Sequence, residues 1–261
     1  MNSQERQNLL SKFKNELLNV SSYLKGSEKG KLSESYKLFI EYSFQMICYA
    51  WIDKNMDRRL DNGAWFYVCQ DSKRAYEVFQ ENHALGDALI SYFDLVAAHE
   101  PFTDLLTMVH EDLLLTGKGG EGIGQFFTPS DLSNLLSELA FVSGCFTGAN
   151  QSDDCSGAGS LTLGLLKRRF KADPESLKSL TVEMTDIDEL ACKAAFIQVA
   201  ASILSHDIAM KRVLVFKSNV LTEYGENRRL LVELQSPSID LGSSNKDGML
   251  AAFNKICELC N

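Results

Sequence analysis

At 261 residues and 29.1 kDa the chain allows one large domain or two small ones. An apolar fraction of 45% with only 4 Pro and 17 Gly excludes a disordered, collagen-like or low-complexity protein. The 26 Lys and Arg against 35 Asp and Glu leave a formal charge of -9, which argues against a protein held on nucleic acid by bulk charge.

No apolar run reaches the roughly 20 residues of a membrane span. The polar start Met1 to Arg6 has no apolar signal core behind it, so a cytoplasmic protein with no membrane partner is expected. The 7 scattered cysteines then read as reduced thiols. Cys257 and Cys260 form a lone CxxC without the second pair that a zinc site needs, so no metal is expected.

Residues 1–120 read as helices and as a helical N-terminal domain. Ser3 is a possible cap, followed by Leu9, Leu10, Phe13, Leu17 and Leu18 at helical spacing. Tyr36, Phe39, Ile40, Phe44 and Ile47 give a second stripe, and Ala88, Leu89, Tyr92, Phe93 and Val96 a third. Pro101 suits the first turn of a fourth helix carrying Phe102, Leu105, Leu106, Val109, Leu113 and Leu114. Residues 57–63 read as a polar loop. The glycine-dense link Gly117 to Gly124 lacks the G-K-[ST] ending of a P-loop and marks a boundary.

Residues 121–261 read as an α/β domain with a parallel sheet. Thr128 and Pro129 open a helix carried by Leu132, Leu135, Leu136 and Leu139. Leu180–Met184, Val213–Phe216 and Leu230–Leu234 read as strands, alternating with helices that end at Phe170 and Ala201 and with a helical tail, Asp247 to Cys260. Asp153, Gly157 and Gly159 sit before a helix start, where glycines let the backbone approach a ligand. A plain structural turn explains them equally well. The dinucleotide fingerprint wants a glycine where Thr162 stands, which lowers a nicotinamide-dinucleotide reading. Asp186 ends the next strand, where a carboxylate can hold ribose hydroxyls or simply cap a helix. Asn219 ends the following strand and can meet an adenine edge or make a turn. The basic groups Lys167, Arg168, Arg169 and Lys171, and Arg228 and Arg229, read as solvated helix ends before they read as a nucleic-acid patch.

Gly124-Gln125-Phe126-Phe127-Thr128-Pro129 resembles the GQF[YF]TP signature of the N6-adenine DNA methyltransferases of type I restriction-modification systems and their stand-alone relatives. Further matches follow in order: residues 153–160 with the DPxCGSG loop, residues 185–191 with the acidic post-strand motif, and residues 217–221 with the G[DN]xL motif. The similarity covers about residues 85–222. It implies a Rossmann-like methyltransferase sheet behind a helical leader, and a site for S-adenosylmethionine (SAM). By that resemblance Phe126 and Thr128 border the methionine end of SAM, together with Asp153, Gly157 and Gly159. Asp186 holds the ribose, Ile187 packs on the adenine, and Asn219 sits near the adenine edge. Asp154 replaces the family's proline, and Ser156 and Ala158 permute its CGSG.

In the resembled family an NPPY or NPPF segment after the fourth strand grips the flipped adenine by an amide acceptor and a stacked ring. The positional counterpart here is Gln235-Ser236-Pro237-Ser238-Ile239, which has neither. Ser236 and Pro237 are therefore degenerate catalytic candidates, and base stacking worth roughly 1–3 kcal/mol is forgone. With 22 residues after Ile239, a reduced sheet is expected. Two readings follow: a SAM-dependent adenine methyltransferase, acting on DNA and needing another subunit or a second copy, or a SAM-binding regulator or decoy of a restriction-modification system.

Overall fold

A computed structural model describes residues 2–55, 65–69, 83–110, 128–144, 148–223 and 227–236. Helices α1 (Ser3–Ser22) and α2 (Glu28–Asn55) are followed by strand β1 (Trp65–Val68), α3 (Ala84–Ala97), α4 (Leu105–His110) and α5 (Ser130–Val142). Then come β2 (Asn150–Asp153), α6 (Ser160–Ala172), a 3-10 turn (Pro174–Ser179), β3 (Thr181–Asp186), α7 (Glu189–Ser205), β4 (Arg212–Lys217) and β5 (Arg229–Gln235). The architecture is mixed α/β. Among the described residues no helix is long and apolar enough to cross a membrane.

Local chemistry sets the helix starts. Asn2, not Ser3, caps α1: its side chain accepts from the Glu5 N–H while Glu5 reaches back to the Asn2 N–H. Pro129, expected as the first helical residue after a Thr128 cap, is itself the cap residue of α5, so the helix begins one position later, and the Pro129 carbonyl accepts from the Ser133 N–H. Pro101 does not open a helix. Phe102 has φ 59 and the helical run begins at Leu105.

The sheet order is β1-β5-β4-β3-β2. β2, β3 and β4 run parallel, with Asp153 beside Met184 and Asp186 beside Lys217. β5 runs antiparallel to β4, and β1 antiparallel to β5. The sheet is thus mixed, where an all-parallel one was expected, and the leader is not all helical, because Trp65–Val68 supplies an edge strand. The short return from β4 to β5 accounts for the reversal: a parallel neighbour needs a crossover of a dozen or more residues. The boundary expected near 120 falls outside the described residues, as do residues 57–63, 117–124 and the tail 247–260.

Val182, Met184, Val213, Val215, Val232 and Leu234 share one sheet face by register and are buried, with α7 packed across β3 and β4. The opposite face carries Glu183, paired with Arg228, and Glu233, paired with Arg212 at 2.6 Å. Outside α7 lies the layer of α1, α2 and α3. There Phe13, Phe39 and Tyr92 form a ring cluster with centroids 5.1 to 5.8 Å apart. Phe44 of α2 meets Phe196 of α7 edge-on at 5.2 Å, so residues on both sides of 120 share one core.

α5 turns its expected apolar face outward. Leu135, Leu139 and Val142 are 56%, 59% and 83% exposed, while Ser133 and Ser137 are buried. The contact with α6 explains this. A Cβ on Gly164 would land on the Ser133 hydroxyl and within 2.6 Å of the Ser137 hydroxyl, so only small polar groups fit between the two helices.

The basic cluster on α6 is consumed by the fold. Lys167 and Lys171 each meet Glu100 at 3.0 Å, Arg168 meets Glu138 at 2.8 Å, and Arg169 donates to Gly148 O at 2.8 Å. The two lysines, Lys171 first, pull the Glu100 carboxyl down to about 2 from its ordinary 4.5. A depressed carboxyl adds stability above its ordinary pKa and loses it as pH falls. Glu100→Gln is therefore expected to flatten the acid limb of an unfolding titration between pH 4.5 and about 2, and to change nothing near neutrality. Partial exposure keeps that effect small. An unchanged acid limb would show that the two lysines do not matter there.

Candidate functional site

The chain crosses the carboxyl end of β2 in the turn Asp153 to Gly159 and the carboxyl end of β3 at Asp186. These places are neighbours. The Gly157 N–H donates to Asp186 Oδ2 at 2.8 Å, and the Ser156 N–H donates to Thr185 O at 3.0 Å. Asp186 Oδ1 accepts from the Asp188 N–H at 2.9 Å. The cap of α7 is Asp188, whose carboxylate accepts from the Leu190 N–H at 3.0 Å. Asp186 is thereby spared that duty. Each of its oxygens keeps a lone pair for a further donor.

The two glycines serve different purposes. Gly157 has φ +51, and a Cβ built on it meets nothing within 4 Å among the described residues, so the turn faces open space there with respect to them. Gly159 has φ +95, and its Cβ would lie 3.2 Å from the Ala195 Cβ. Gly159 therefore seats the turn against α7, while Gly157 leaves the front clear.

Asp153 points inward. Its Oδ2 accepts from the Thr162 hydroxyl at 2.7 Å, so the residue standing at the expected third glycine ties the strand to α6. Burial pushes the Asp153 carboxyl above its ordinary value, against the hydrogen bonds from Thr162 and the Cys155 N–H. Ile187 is 65% exposed beside Asp186. Asn219 follows β4 at the same end, since the Ser218 N–H donates to Asp186 O at 2.9 Å. Its Oδ1 accepts from the Leu221 N–H at 3.1 Å and makes a turn. Thr128, half-buried, precedes α5, whose Ser133 hydroxyl donates to Ser160 O at 2.6 Å.

The catalytic candidate Ser236 is not brought to this end. β5 runs backward, so Ser236 follows Gln235 to the start of β4, where its N–H donates to Lys211 O at 3.0 Å. It lies at the opposite end of the sheet from Asp186. Pro237 and Phe126 are outside the described residues.

This end of the sheet presents an open turn at Gly157, a carboxylate with accepting capacity at Asp186 and the exposed aliphatic side chain of Ile187. The hydroxyls of Ser156 and Thr185 under the turn are buried without a hydrogen-bond partner among the described residues. A separate cleft of about 200 Å³ lies between α5 and α6, and the cations lining it, Lys167, Arg168 and Lys171, are those already in ion pairs. No metal-holding group of His, Cys, Asp and Glu occurs among the described residues. No protein-family model matches the chain, and no curated protein matches it in sequence.

Sequence reasoning missed Asp104, Gln198 and Ser160, which meet behind the glycine turn. Their spacing along the chain carries no local signal.

Proposed function

We propose that the chain is a methyltransferase-like protein that holds SAM at the Gly157–Asp186 end of its sheet and does not by itself methylate DNA adenine. The observation that carries this reading is the 2.8 Å hydrogen bond from the Gly157 N–H to the Asp186 carboxylate, which joins the glycine turn of one strand to the acidic end of the next. That juxtaposition supports the α/β cofactor crevice at the carboxyl ends of parallel strands.

When bound, SAM supplies an electrophilic methyl group on its sulfonium. Asp186 accepts from the ribose hydroxyls and thereby sets the ribose. Gly157 admits the cofactor chain close to the backbone. Ile187 covers an adenine face, and the Asn219 amide reaches the adenine edge. Asp153 anchors the turn through Thr162 and stays off the ligand.

The acceptor side is what the described residues lack. Ser236 lies at the far end of the sheet and carries neither the amide acceptor nor the ring that grips a flipped adenine. The lysines and arginines of α6 are already in ion pairs and offer no ready phosphate track. A regulator or decoy of a restriction-modification system, or a subunit that transfers only beside a partner, follows from this.

SAM at a hundredfold its Kd is expected to stabilise the native state by about 2.7 kcal/mol. That corresponds to a Tm rise of roughly 5–10 °C for a chain of this size. Gly157→Asn, which tolerates the left-handed backbone, is expected to melt near the parent and to lose the SAM shift. Tritiated SAM with unmethylated DNA is expected to leave no label on the DNA. A parent Tm unmoved by millimolar SAM rejects the proposal, and labelled DNA rejects its second clause.

A further inference from the structure

We infer that Asp104 and Gln198 are positioning residues that hold the Gly157–Ser160 turn in its ligand-ready shape from behind. This rests on reading that turn as the cofactor site. Gln198 projects from the middle of α7 and is 3% exposed. Its Nε2 donates to Ala158 O at 3.0 Å and to Asp104 Oδ1 at 2.9 Å. Its Oε1 accepts from the Leu105 and Leu106 N–H groups at 2.8 and 2.9 Å. Asp104 Oδ2 accepts from the Ser160 hydroxyl at 2.5 Å, and Oδ1 also accepts from the Thr107 N–H at 3.2 Å.

One amide and one carboxylate thus join three pieces of backbone: the turn, the start of α4 and the helix between them. An apolar side chain of the same length could not do this, because the amide donates toward the turn with one end and accepts from α4 with the other. Ala158 and Ser160 flank Gly159 on either side, so both grips fall beside a residue in the positive-φ region, at φ +95.

The segment before α4 is bent to deliver Asp104. Phe102, a buried bulky residue, has φ 59, in the left-handed region where such residues are rare. It is held there by its N–H, which donates to the Ser202 hydroxyl at 2.7 Å, one helical turn along α7 from Gln198. Strain of this kind persists only where its surroundings over-determine it. Here they do so through α7, and the product is a carboxylate placed on the first residue of α6.

The experiment is site-resolved hydrogen exchange on the full chain, with and without SAM, for the parent, Ser160→Ala, Gln198→Met, Asp104→Asn and the control Ser137→Ala. The amides of Ser156, Gly157 and Gly159 are hydrogen-bonded and report the turn directly. Ser160→Ala and Gln198→Met are expected to speed exchange at those three amides at least tenfold, with β3, β4 and the rest of α7 unchanged. SAM affinity should weaken about tenfold alongside. Asp104→Asn keeps the shape, can donate to the Ser160 oxygen instead, and is expected to restore most of the protection. The control is expected to alter neither. Exchange that rises evenly over the whole chain, or a turn that stays protected in both variants, overturns the inference. A parent that ignores SAM while the turn amides still respond leaves the bracket standing and removes the cofactor reading.

Discussion

Lys193→Met is expected to destabilise the protein by about 3–5 kcal/mol, the usual loss when one partner of a buried ion pair is removed. The Lys193 side chain is 3% exposed, yet it reaches Glu41 of α2 at 2.7 Å and Glu189 at 3.0 Å. Glu189 also meets Lys217 at 3.3 Å and Arg229 at 3.1 Å. One buried cation therefore couples the helical layer to α7 and, through Glu189, to β4 and β5. Burial alone pulls the Lys193 ammonium down, but Glu41 and Glu189 outweigh it and leave the group above its ordinary value. Burial likewise raises Glu189, and Lys193, Lys217 and Arg229 overcome it, leaving that carboxyl below its ordinary value.

The sign follows from those two directions. The raised lysine adds stability that is complete below its ordinary 10.5 and fades as pH rises above it. The depressed carboxyl adds stability above its ordinary 4.5 that fades as pH falls below it. The gap between parent and variant is therefore widest between those two values and closes on both sides. In thermal unfolding at pH 7 the deficit is roughly 10 °C. Adding Glu41→Gln to the variant removes one stranded carboxylate and should recover part of it. A variant that melts within a degree or two of the parent means the cluster is a solvated surface network.

Gly159→Ala is the second large effect. The backbone at φ +95 is strained for any side chain, at about 1–3 kcal/mol. The new methyl would also press on Ala195, 3.2 Å away, for about 1–3 kcal/mol of overpacking. Ala195→Gly separates the two contributions. By itself it costs about 1 kcal/mol of helix propensity, but in that background the methyl loses its nearest neighbour and keeps only the Ala195 Cα at 3.3 Å beside the backbone strain. Urea unfolding of the four proteins in this cycle gives both numbers. If Gly159→Ala costs the same in either background, the contact with α7 is not what demands glycine.

Several of these features were readable before any coordinates. β3, β4 and β5 stand out as apolar runs rich in branched residues, and their limits agree with expectation to within a residue or two. Asp186 and Gly157 were expected together because a glycine turn and a strand-end carboxylate both lie where parallel strands finish. The direction of β5 was not readable, because alternating burial looks the same in a parallel and an antiparallel strand. β1 is four residues long and gives too short a pattern to separate from loop. α5 carries a clean leucine stripe, but periodicity names a face without saying what it touches, and two serines opposite Gly164 decided which side went in. Asp104 and Gln198 escaped notice because they meet only in space.

The sheet order also dictates when this molecule can be finished. Trp65–Val68 finds its described neighbour only in Arg229–Gln235, and as the ribosome releases the N-terminal portion first, that early strand must wait for nearly all of the chain to emerge. Until then α7's partners among α1 to α3 are held by helix contacts alone. Capture of β5 between β4 and the long-made β1 is the expected slow event in refolding, with the β1–β5 amides the last to gain protection in pulsed hydrogen exchange.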